Sequence, residues 1–150
     1  MIGIALLAAA SVAAAPAAAP PARCPGENTI EINECQAAKL AKAEAELKRY
    51  LAAARKRLQS DAADDAGAAK ALAGFDRIQT AWVAYRDGEC GALYDYWSSG
   101  TIRTSIELTC EIDLTRQRTH TVWSLWLTYM DSTPPMLPEP RVAPGAPFAN

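Results

Sequence analysis

Three stretches of this chain place apolar residues three or four positions apart, the spacing that lines one face of an α-helix, and turn-forming residues separate them. In the first, Leu40, Ala43, Leu47, Tyr50, Leu51, Ala54 and Leu58 mark the apolar face. Lys42, Glu46, Lys48, Arg49, Arg55 and Lys56 lie opposite as a solvated surface. Asn28 and Glu31 have the spacing of a capping box, which predicts a start near Thr29. Ser60-Asp61-Ala62-Ala63-Asp64-Asp65 favours caps and turns and predicts a break. A second helix follows with Leu72, Phe75, Ile78, Trp82, Leu93 and Trp97, and Gly74, Gly88 and Gly91 weigh against its being regular throughout. Beyond the turn Ser98-Ser99-Gly100, a third helix carries Ile102, Ile106, Cys110, Leu114, Val122, Leu125 and Tyr129 and is expected to end at Thr133-Pro134-Pro135. The pattern predicts an all-α fold, an antiparallel bundle of three long helices over residues 24–132. Residues 133–150 are Pro-rich and are expected to form a disordered tail.

Cys24, Cys35, Cys90 and Cys110 test that layout. In an antiparallel bundle, residues on neighbouring helices lie level when they are equally far from the connecting turn. The midpoint of Cys35 and Cys90 falls between Ala62 and Ala63, and that of Cys90 and Cys110 is Gly100. All three therefore sit at one end, where Cys24 also enters. An even set of cysteines in a small exported chain reads as two disulfides stapling that end. Zinc ligands come in close pairs, which these are not, so no metal site is expected. Levelness leaves all three connectivities open, with Cys35–Cys90 and Cys24–Cys110 preferred.

Export itself is read from the N-terminus. Residues 2–22 carry no charge, and the apolar run Ile4–Ala15 ending in small residues has the form of a signal peptide core. Pro16, Pro20 and Pro21 cut it short of the ~20 apolar residues that a spanning helix needs. Residues 1–22 are accordingly expected to be removed, giving a periplasmic or secreted product with no stable membrane insertion. With 15 basic and 17 acidic residues the chain has a net charge of −2, so it lacks the basic excess that nucleic-acid binding requires. A single histidine, His120, leaves little imidazole for acid–base or metal chemistry. No cofactor and no catalytic residues are expected.

The densest motif is Gln79-Thr80-Ala81-Trp82-Val83-Ala84-Tyr85-Arg86-Asp87-Gly88-Glu89-Cys90. Gln79, Trp82, Arg86 and Glu89 share one helical stripe and are the candidate binding residues. Trp82 reads first as core, given how much area an aromatic ring buries. Arg86, if buried, needs a carboxylate, which Glu107, Glu111 or Asp113 on the third helix can supply. Gln79 is expected to satisfy a neighbouring helix or loop, and Arg116 and Arg118 to bond to the turn or face solvent. Of Trp123 and Trp126, three residues apart, one is expected in the core while the other edges a binding surface.

The pattern Q-x-x-W-x-x-Y-R-D-x-E-C, followed by Cys110 and by Leu114-Thr115-x-x-Arg118-Thr119, resembles the lysozyme inhibitor LprI-like family. Upstream, the segment from Thr29 to Cys35 and Glu46-Leu47-x-x-Tyr50 resemble that family's first helix, so the likeness covers about Cys24 to Tyr129. It departs from the family at Lys48, where Asn is usual, and in a glycine-rich turn reduced to Ser98-Ser99-Gly100. The resemblance implies a small, exported, disulfide-stapled helical domain of the bacterial envelope and a non-catalytic binding protein whose partner is a lysozyme. Two other functions fit the residues. One is a structural or stress-related envelope module with another protein partner. The other is a cell-wall hydrolase using carboxylates such as Glu89, Glu107 or Glu111, disfavoured because glycoside hydrolysis needs two facing carboxyl groups and no nucleophile–base constellation is visible.

Overall fold

The computed structural model describes residues 24–141. The expected signal peptide and residues 142–150 lie outside them. Three helices, α1 (Thr29–Asp61), α2 (Ala66–Tyr96) and α3 (Arg103–Trp126), form the antiparallel bundle that the periodicity predicts. At 33 residues, α1 is about 50 Å long.

The helix starts follow their caps. Asn28 Oδ1 accepts from the Glu31 N–H at 3.0 Å, and the Glu31 carboxylate reaches back to the Glu27 N–H at 3.0 Å and to Asn28 Nδ2 at 2.8 Å. At α2 the Asp65 carboxylate accepts from the Gly67 N–H at 2.7 Å. The helix then runs unbroken through Gly74, Gly88 and Gly91. α3 stops at Trp126, short of the prolines expected to end it. Arg57 of α1 is the physical reason: its Nη1 donates to Trp126 O at 2.9 Å and to Thr128 O at 3.0 Å. Terminal carbonyls that the helix would leave unpaired are thereby satisfied from another helix.

The core gathers towards the C-terminal ends of α1 and α3. Leu47, Tyr50, Ala54, Leu58, Phe75, Val122 and Leu127 are buried there in one cluster. α3 packs most extensively on α1, whereas α1 and α2 meet least. α2 is therefore the outlying helix. Of its expected apolar face only Phe75 is fully buried, while Ile78 and Trp97 are exposed. On α3 Leu125 is exposed too, as is Tyr129 beyond its end, and the buried face of α3 includes Thr115, Arg118 and Thr119. Thr119 satisfies its hydroxyl within the helix, Oγ1 donating to Thr115 O at 2.9 Å, whereas the Thr115 hydroxyl faces Arg86 of α2.

Both disulfides lie at one end, with a pairing other than the preferred one. Cys24 bonds Cys35, and Cys90 bonds Cys110, with Cα–Cα distances of 5.7 and 5.6 Å. Levelness placed the cysteines at a common height but took no account of the segment before α1. That segment folds back on the first turns of α1, so Cys24 meets a partner only 11 residues away. The second bridge joins the two cysteines equidistant from the turn at Gly100.

The tail also departs from expectation. Residues 133–140 are not disordered but return along the bundle as a strap, with Leu137 packed on the core and Pro140 buried.

Candidate functional site

Because α1 and α2 diverge, they leave a groove of about 560 Å³. Its floor is apolar, formed by Leu47, Leu51, Phe75 and Trp82, and its rim carries Glu44, Lys48, Arg55, Gln59, Gln79 and Arg86. Three of the four candidate binding residues, Gln79, Trp82 and Arg86, thus border one cavity. Glu89 does not join them. Glu89 is exposed and borders a separate hollow of about 200 Å³ between α2 and α3, with Tyr85, Leu93 and Asp113.

Arg86 is the most constrained side chain of the site, 14% exposed. Its carboxylate partners come from α1 and its own helix rather than from α3: Nη1 meets Glu44 Oε1 at 3.0 Å, and Nε and Nη2 both meet Asp87 Oδ1 at 2.9 Å. Nη1 also lies 3.5 Å from Thr115 Oγ1 on α3, and the guanidinium sits 5.5 Å from the Trp82 ring centroid. One arginine therefore touches all three helices. Burial works against its charge, but the bonds to Asp87 and Glu44 outweigh that and hold its pKa above the ordinary arginine value. Glu111 takes part only through its field. Burial is the largest influence and raises the Glu111 pKa; Arg86 opposes it, while Glu107, Asp87 and Glu44 add to it. Burial likewise raises Asp113, against the pull of Arg116.

Behind the groove, Gln79 Oε1 accepts from Arg118 Nε at 3.1 Å. Arg118 is buried rather than at the turn or in solvent, and burial lowers its pKa. Both halves of the sequence motif thus meet inside the bundle, Gln79 with Arg118 and Arg86 with Thr115. This polar layer cross-links α2 to α3 and fixes the groove's back wall. On the outer side, Arg55 of α1 pairs with Asp76 of α2.

The sequence reading missed Glu44 and the apolar floor from α1. No spacing within α2 reports which α1 residues face it. Lys48 was visible as a departure from the family pattern, and it stands exposed on the rim. Trp126 packs edge-on against Phe75 at 5.3 Å, while Trp123 turns its indole towards the strap. Among the described residues, no group of three or more His, Cys, Asp or Glu is arranged to hold a metal ion. No helix among them is long and apolar enough to cross a membrane.

No curated protein and no solved structure matches the chain. The family model described as lysozyme inhibitor LprI matches residues 22–121, about two-thirds of the sequence. That segment contains all four cysteines, the whole groove and the Gln79–Arg118 and Arg86–Thr115 pairs. The chain belongs to the lysozyme inhibitor LprI family.

Proposed function

We propose that this protein is an exported, non-catalytic inhibitor that blocks a lysozyme in the bacterial envelope. The observation that carries the reading is the family match across residues 22–121. Two disulfides and an uncharged, apolar N-terminal stretch support an oxidising compartment outside the cytoplasm. A lysozyme offers a carboxylate pair in an open cleft, and many are strongly basic, so an acidic partner gains encounter rate by steering. A net charge of −2 has the right sign.

The surface we assign to the contact is the rim of the α1–α2 groove, with Lys48 as its exposed cation and Trp82 as its aromatic floor. Arg86 serves that surface as a strut, since its charge is already engaged by Glu44 and Asp87. The test is the lysis rate of a cell-wall suspension by c-type, g-type and i-type lysozymes, with and without the oxidised protein. Dose-dependent slowing of at least one class is expected. Lys48→Glu should weaken that inhibition about tenfold, the loss of one good interfacial contact. A folded protein that slows none of them overturns the inhibitor reading. Undiminished inhibition by Lys48→Glu moves the contact off the groove. Clearing of the suspension by the protein alone would make it a hydrolase.

A further inference from the structure

A bundle of three helices has three grooves, and the one between α1 and α3 is filled by the chain's own strap. After Leu127 the backbone reverses, and the Met136 N–H donates to Leu127 O at 2.9 Å. Residues 137–140, Leu-Pro-Glu-Pro, then lie against the bundle. Trp123 Nε1 donates to Leu137 O at 2.9 Å, and the Tyr50 hydroxyl donates to Pro138 O at 2.6 Å. His120 Nε2 and Glu139 Oε1 are 3.2 Å apart. The Leu137 side chain packs on the core cluster, and Pro140 is buried.

The chemistry of that contact is one-sided. Proline has no N–H, so a Pro-x-Pro segment offers the protein mainly carbonyl oxygens. The groove answers with side-chain donors on aromatic rings, one from each flanking helix, which read successive carbonyls. An aromatic wall with such donors is how proline-rich segments are recognised in general. Tyr50 belongs to the Glu46-Leu47-x-x-Tyr50 motif inside the family-matched residues, whereas the strap begins beyond residue 121, where the match ends. One of the groove's two donors, Tyr50, and His120 thus lie inside the matched residues, while Trp123 and the strap lie beyond them.

We infer that the α1–α3 groove is a binding site for proline-rich segments of the pattern apolar-Pro-acidic-Pro, which residues 137–140 fill in cis and such a segment of a partner protein displaces. Leu137 supplies the apolar anchor, the two carbonyls after it set the register, and the acidic residue pairs with His120. A tethered segment competes at an effective concentration in the millimolar range, so the closed groove masks its affinity for outside segments. The site is separate from the α1–α2 groove and stands whether or not the protein inhibits a lysozyme.

The test uses the full oxidised chain and a fluorescent peptide copying residues 134–141, read by anisotropy, with sedimentation to follow association of the chain. Glu139→Lys removes the partner of His120 from an exposed position and so leaves folding intact, and Leu137→Asp expels the anchor. Leu137→Asp should bind the peptide about tenfold or more tightly than the unaltered chain does, and Glu139→Lys, which removes only an exposed pair, about two- to fivefold. Adding Tyr50→Phe to Glu139→Lys should weaken binding severalfold, and a peptide with alanine in place of its prolines should lose about tenfold. The inference is overturned if folded Leu137→Asp protein, with its anchor expelled, and Glu139→Lys protein both take up no peptide at about 1 mM. Binding that ignores Tyr50→Phe, or self-association that excludes the peptide, also rejects it, the latter assigning the groove to a second copy's strap.

Discussion

Glu111 shows how a residue outside the site reports on it. Burial raises its pKa, so across the interval from the ordinary carboxylate value up to the raised one the folded protein holds more protons than the unfolded chain. Stability must then fall as pH rises through that interval, and the full cost of the buried charge is present at neutral pH. Glu111→Gln should therefore stabilise the protein at pH 7, by less than about 1 kcal/mol because the group is partly solvated. The gain should vanish below the ordinary carboxylate range, and urea titrations at several pH values would show it. At this scale the sequence was legible in residue type and not in partner. The stripe Gln79, Trp82, Arg86 was visible, as was the need of a buried Arg86 for a carboxylate. One carboxylate is the adjacent Asp87; that the other is Glu44 depends on the approach of α1 to α2, which no local spacing encodes. Arg118 was misplaced for a related reason: an arginine reads as solvent-facing unless its neighbours are known, and here the partner is the amide of Gln79.

Helix starts were legible because their causes are local, in Asn28 with Glu31 and in Asp65. The end of α3 was not, because Arg57 is 69 residues away from the carbonyl of Trp126 to which it donates. α2 raises a different point. Gly88 is exposed within a regular helix, and a Cβ there would meet nothing within 4 Å. Neither packing nor backbone conformation calls for glycine, so Gly88→Ala should raise stability by about 0.5 to 1 kcal/mol through a less flexible unfolded chain. Thermal unfolding would measure it. The preferred disulfide pairing failed at this scale, since levelness compares helices and overlooks the short segment before Thr29.

Across the whole molecule, cohesion is divided between two ends. The continuous apolar cluster lies around Tyr50, Phe75 and Leu127, whereas the opposite end carries both disulfides. Cys90–Cys110 ties α2 to α3, while Cys24–Cys35 is internal to the start of the chain and leaves α1 without a disulfide to the others, held to them by packing and by polar contacts such as Glu44–Arg86 and Arg57 with Trp126 O. Loop closure assigns each bridge about 3 kcal/mol. Reduction should therefore loosen the disulfide end before the core: amide protection is expected to fall first around Cys90 and Cys110 and to persist from Tyr50 to Leu58, as hydrogen exchange would show. Uniform loss of protection along all three helices would mean that the two ends unfold as one.

The connectivity has a consequence for how the molecule is made. Each bridge joins cysteines that are consecutive in the sequence, the first with the second and the third with the fourth. On the proposed export, a chain delivered N-terminus first brings Cys35 to Cys24 before α2 has emerged, and once that bridge has closed Cys110 is the partner left for Cys90. Oxidation in order of appearance is then oxidation to the native state. Maturation is therefore expected to need a thiol oxidant but no enzyme that reshuffles disulfides, and the yield of oxidised protein should be indifferent to the loss of one.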